Sequence, residues 1–139
     1  MRASVADTSV LAAFLFREPR ADEAAALLAD VELFEPPLLA FELASVCRKK
    51  VLLYPGLQRG LLESLKMGLT LDIRWIEVDH PGVVELALER DLTTYDATFL
   101  WVSQSMGIEL QTFDERLQRE TGGFESLTET QRHGDDDLV

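Results

Sequence analysis

The chain has 139 residues, 47% of them hydrophobic and 27% charged, which predicts one soluble domain with room for a real core. Its formal charge of −12 excludes a broadly basic nucleic-acid binder, and no run approaches the ~20 apolar residues that cross a bilayer. A single cysteine, Cys47, excludes an internal disulfide, fits a reducing cytoplasm, and reads as a buried structural thiol within an apolar run.

In chain order, residues 2–6 (RASVA) read as a short strand ending at Asp7. A helix follows from Thr8 to Phe16, with Val10, Leu11, Phe14 and Leu15 on one stripe. This strand–turn–helix accounts for the N-terminal apolar run better than a signal peptide does. Ala21 to Asp30 is an alanine-rich second helix, and VELFE a second strand closed by Pro36-Pro37. A long helix spans Leu38 to Leu53, and Gln58 to Gly68 is its antiparallel partner. Ile73 to Val78 is a third strand, Asp79 to Gly82 a loop, and Val83 to Arg90 a fifth helix. Thr94 is placed to cap a sixth helix that Gly107 stops, after which IELQT is a strand and ERLQRE a helical turn.

Helices alternating with strands predict an α/β fold: three α/β/α layers around a central, mainly parallel sheet of four to five strands. Residues 1–120 form that domain, and residues 121–139 a polar acidic tail expected to be partly disordered. Residues 120–139 hold six acids and one base, which leaves 19 acids against 12 bases in residues 1–119. The bases of the body cluster at Arg48-Lys49-Lys50 and again at Arg116 and Arg119. They serve as a solvated helix face or as a local phosphate-contacting edge; Arg48, Lys49 and Arg116 are the candidates for RNA contact.

Four acids stand out. Asp7 follows a strand and precedes a helix, Asp96 falls in a helix's first turn, and Asp114 follows a strand. Each has a sufficient structural role as a cap or a dipole partner. Glu42 is harder to dismiss, being the only charge in LLAFELASVC, where an ionised side chain is costly to bury. Strand ends and helix starts share one rim of an open α/β sheet, the rim at which ligands bind. Two carboxylates ~5 Å apart repel by about 3 kcal/mol at an effective dielectric near 20. A divalent cation removes that penalty, and an all-oxygen set selects Mg²⁺ or Mn²⁺ over zinc. Such an ion activates water for attack on a phosphodiester. Ser9 and Thr112, each two residues from an acid, can orient a carboxylate or a water, or be ordinary turn and strand residues.

VADTSVLAA, PPLLAFELASVCRK, LTTYDATFLWVSQSMG and LQTFDERL, in that order, resemble the PIN-domain family and within it the VapC-like ribonuclease toxins. The resemblance covers residues 3–117. It implies a metal-dependent endoribonuclease whose acidic quartet is Asp7, Glu42, Asp96 and Asp114, with Ser9 and Thr112 as polar helpers. It also implies Mg²⁺ or Mn²⁺ as cofactor, an RNA substrate, products with a 5′-phosphate and a 3′-hydroxyl, a homodimer, and a small cognate antitoxin.

Rival chemistries find less support. His80 and His133 have no zinc-ligand spacing with Cys47, and no phosphate-cradling glycine motif is present. Asp79 beside His80 reads as a loop residue, and Trp75 and Trp101 as core. A response-regulator-type phosphoacceptor would need a lysine after a late strand, and none lies between Glu109 and Glu120. A free-standing PIN nuclease in RNA processing, or a PIN-like binding module that does not cut, remains an alternative to the toxin.

Overall fold

The structure, a computed structural model, describes residues 1–121. Its strands are β1 (Arg2–Ala6), β2 (Val31–Glu35), β3 (Ile73–Trp75) and β4 (Glu109–Gln111). Between them run α1 (Thr8–Leu15), α2 (Ala21–Leu28), α3 (Leu38–Leu53), α4 (Gln58–Leu69), α5 (His80–Arg90) and α6 (Thr94–Met106). Residues 115–121 are helical too (α7). The four strands form one all-parallel sheet in the order β3-β2-β1-β4, giving the three-layer α/β/α architecture.

Parallel strands joined by helical crossovers are covered on both faces, so the central strand is not amphipathic. Ser4, Val5, Ala6 and Asp7 are all buried at the end of β1. Ser4 is accommodated there because its hydroxyl donates to the Glu109 carbonyl of β4 at 3.0 Å. Helix α6 lies along β1, β2 and β4 with α5 against it, while α1 packs on α2, α3 and α4. Leu11, Leu39, Leu43, Phe99, Leu100 and Leu117 fill the interior. Cys47 is buried on α3, and burial pushes its thiol pKa up, as suits a structural role.

Several expectations are corrected. Helix α5 begins at His80 rather than Val83, because Pro81 stands in its first turn, where a missing N–H costs nothing. Strand β3 stops at Trp75, since it is an edge with β2 as its one neighbour; Trp75 is consequently 43% exposed and not core. Thr93, not Thr94, caps α6 by accepting from the Asp96 N–H at 3.1 Å. On α1 the buried face is Val10 through Ala13, and Phe14 turns outward. Gly107 ends α6 in the left-handed conformation (φ 65°), as its position after the last apolar turn predicts. The expected acidic tail lies outside the described residues, apart from Thr121.

Candidate active site

From β1 the chain moves to β2 and then β3 on one side, while β4 joins on the other. The strand order therefore reverses between β1 and β4, and their C-terminal ends open a crevice there. Asp7 is the first residue beyond β1, and Asp114 follows three residues after β4. The Asp7 N–H donates to the Gln111 carbonyl at 3.0 Å, so the two strand ends are stitched together where the acids emerge.

Asp7 is the most constrained acid. Its Oδ1 accepts from the Ser9 hydroxyl at 2.6 Å and the Ser9 N–H at 3.1 Å, and its Oδ2 from the Thr112 hydroxyl at 2.5 Å. It is also the N-cap of α1, reaching the Val10 N–H. Burial raises its pKa, and the hydroxyls of Ser9 and Thr112 pull partly the other way. Those hydroxyls have second tasks. Ser9 Oγ accepts from the Phe113 N–H at 2.9 Å, and Thr112 Oγ1 from the Asp114 N–H at 3.0 Å. The loop that carries Asp114 is thus hung from the groups that orient Asp7.

Helices supply the other two acids. Glu42 is half-buried on α3, and its Oε1 accepts from the Thr8 hydroxyl at 2.5 Å, which joins it to the residue after Asp7. Burial raises its pKa and the negative charge of Asp96 adds to the rise, against the Thr8 hydrogen bond. Asp96, in the first turn of α6, is raised by burial and then by the charge of Asp114, offset by Thr93 and Arg116. Asp114 is exposed, and its Oδ1 caps α7 through the Leu117 N–H at 2.9 Å. Asp7, Glu42, Asp96 and Asp114 therefore meet at one rim, linked by hydroxyls or by mutual repulsion.

Among the described residues, no three acids stand close enough to form a ready cation cage. The donor set nevertheless fits a hard divalent ion. Mg²⁺ is typically held by one or two carboxylates and keeps several waters, so it does not need an all-protein cage. The carboxylates at the rim repel one another, and Arg116 is the cation that moderates Asp96. Arg116 itself donates to the Asp91 carbonyl and pairs with the Asp91 carboxylate at 3.1 Å. Arg48 and Lys49 are not at the rim: both are exposed on α3, and Arg48 lines a cleft against α4.

Sequence reasoning missed Glu35. It is fully buried at the end of β2, where its Oε2 accepts from the Ala6 N–H at 2.8 Å and its Oε1 has no partner. The β1–β2 ladder registers Ser4 with Leu33, and the Glu35 side chain takes the Ala6 N–H beyond that pair. Burial sets its pKa well above the carboxylate range, with the Asp7 charge pushing the same way. The signal in the sequence was faint: one acid at the last strand position, directly before Pro36-Pro37.

A family model described as PIN domain matches residues 4–122. The fold is similar to the crystal structure of PAE2754 from Pyrobaculum aerophilum, at 25% identity and a TM-score of 0.70, over 88% of this chain and 81% of that one. It is also similar to VapC20 of Mycobacterium tuberculosis, a sarcin–ricin loop cleaving toxin. That match has 20% identity and a TM-score of 0.66, and covers 84% of this chain and 94% of that one. No curated protein matches the chain by sequence. Among the described residues, no helix is long and apolar enough to cross a membrane.

Proposed function

The chain belongs to the PIN-domain family, a family of nucleases, and on that premise we propose that it is an endoribonuclease dependent on Mg²⁺ or Mn²⁺. The observation that carries this reading is the convergence of four acids at the sheet's switch point: Ser9 and Thr112 tie Asp7 to the loop of Asp114, Thr8 holds Glu42, and charge repulsion links Glu42 to Asp96 and Asp96 to Asp114. Asp7, Asp96 and Asp114 would hold the ion, with Glu42 completing the set directly or through water. When bound, the cation would neutralise the phosphate and lower the pKa of water beside it.

The chain's own groups divide the remaining work. Ser9 and Thr112 fix the Asp7 carboxylate, so it meets the ion without reorganising. Glu42 keeps Oε1 on Thr8, which leaves Oε2 to take a proton from the attacking water. Burial raises its proton affinity above that of a free carboxylate, which makes it a stronger base. Water adds to phosphorus, the bond from phosphorus to the 3′ oxygen breaks, and solvent protonates that oxygen, leaving a 5′-phosphate and a 3′-hydroxyl.

The VapC-like likeness supports a toxin role, in which a homodimer is silenced by a small cognate antitoxin in the cytoplasm. The purified chain should cut single-stranded RNA with Mn²⁺, stop on chelation, and lose cutting as Asp7→Asn or Asp96→Asn. Undiminished metal-dependent cutting by both variants would refute the site. The toxin role has its own test: induction of the chain should arrest growth of a bacterial host, and a small protein encoded beside its gene should relieve the arrest.

A further inference from the structure

Beside the acid rim lies a cavity of about 400 Å³ lined by Pro36, Leu38, Phe41, Glu77, Val78 and Tyr95 among others. Phe41 precedes Glu42 on α3, and Tyr95 precedes Asp96 on α6, so each aromatic is the chain neighbour of a rim acid. Phe41 is 74% exposed and Tyr95 60% exposed. Two large aromatics exposed to water and lining one apolar hollow are not explained by packing.

Among the described residues, no lysine or arginine lines the hollow, and its polar groups besides the Tyr95 hydroxyl are the Glu77 carboxylate, the His80 imidazole and the hydroxyls of Thr94 and Thr98. A mainly apolar lining with one carboxylate and two aromatics suits a flat, uncharged ring with polar edges better than a phosphate. Resting on the nuclease reading above, we infer that the Phe41–Tyr95 hollow is a nucleobase subsite. It receives the unstacked base of the nucleotide next to the scissile phosphate.

Stacking on exposed aromatics is how proteins hold single-stranded bases with little sequence demand. A base inside a duplex cannot reach the hollow, so the subsite restricts cutting to loops, bulges and single strands. Glu77 at the rim favours edges that present an amino group, which guanine, cytosine and adenine have and uracil lacks.

Binding and cleavage separate this inference from the nuclease reading. The full chain is titrated, with Ca²⁺ in place of Mn²⁺ to keep the strand intact, into a short single-stranded oligoribonucleotide carrying 2-aminopurine. We expect fluorescence quenching by the wild-type chain. Phe41→Ala or Tyr95→Ala should weaken it about five- to a hundredfold, and Phe41→Trp should retain it. With Mn²⁺, the alanine variants should raise KM by a similar factor with kcat nearly unchanged. Absent quenching, or equal quenching by the wild type and both alanine variants, overturns the subsite, even if RNA is cut. Normal quenching without cleavage under Mn²⁺ would instead defeat the nuclease reading and leave the hollow as a base-binding site.

Discussion

The rim has a strand side and a helix side, and the two are built differently. On the strand side, Asp7 is buried with both carboxylate oxygens occupied, and its hydroxyl partners also hold the backbone of the loop carrying Asp114. On the helix side, Glu42 and Asp96 are half-buried, each with a single hydroxyl partner, and neighbouring charge raises their proton affinity, that of Asp96 acting on Glu42 and that of Asp114 on Asp96. The strand side can position an ion without moving. The helix side adds the repulsion of neighbouring carboxylates to the effect of burial.

The largest effect should come from breaking the strand side. Asp7→Asn should cut RNA cleavage by about a hundred- to a thousandfold or more, the scale of losing a preorganised electrostatic group. Asparagine is nearly as good a cap, so thermal melting should show the fold intact. Thr112→Val keeps the shape but removes the hydroxyl that serves Asp7 and Asp114 together. It should lower activity about ten- to a hundredfold, as losses behind a metal ligand do. That loss should appear in the Mn²⁺ concentration needed for half-maximal cleavage.

Both sides should show themselves in pH. Asp7, Glu42 and Asp96 all hold protons more tightly in the fold than in the unfolded chain, so cleavage should fail on acidification above the ordinary carboxylate range. Stability runs the opposite way. A carboxyl whose proton affinity is raised by folding stabilises fully below its unfolded pKa and loses that contribution as pH rises through the folded value. The metal-free protein should therefore melt at a lower temperature at neutral pH than in mild acid. Mn²⁺ should raise the melting temperature at neutral pH and do little in acid.

Glu35, fully buried with one carboxyl oxygen unpartnered among the described residues, should contribute to this trend, and Glu35→Gln should flatten the melting temperature against pH. An equally steep curve in that variant would locate the trend elsewhere. The smallest effect should be Thr93→Ala, which removes the α6 cap at a cost of about 1 kcal/mol. That amounts to roughly 4 °C in melting temperature for a domain of this size.

Much of this was legible before any coordinates. Helix α3 starts and stops where Pro37 and the Pro55-Gly56 break imply, and β1 ends at Asp7 as read. Helical periodicity and breakers are local signals, and they carried these elements. Asp7, Asp96 and Asp114 were legible because each follows a strand or opens a helix, positions that topology sends to one edge, and Glu42 because it is the only charge in an apolar helical run. What stayed hidden depends on long-range pairing. Whether β3 has one neighbour or two decides that Trp75 is exposed, and no local pattern tells that. Glu35 is separated from Ala6 by 29 positions, and only the parallel pairing of β1 with β2 brings its carboxyl to that N–H. The α6 cap slipped by one residue because two threonines stand side by side at 93 and 94.

Calorimetric titration of Mn²⁺ into the metal-free wild-type chain and its Asp7→Asn and Asp96→Asn variants, near neutral pH, reaches the central claim most directly. The wild type should bind saturably, and each variant should bind weakly or not at all. Saturable binding of equal strength in all three proteins, or none in the wild type, would contradict a shared cation site at the β1–β4 rim.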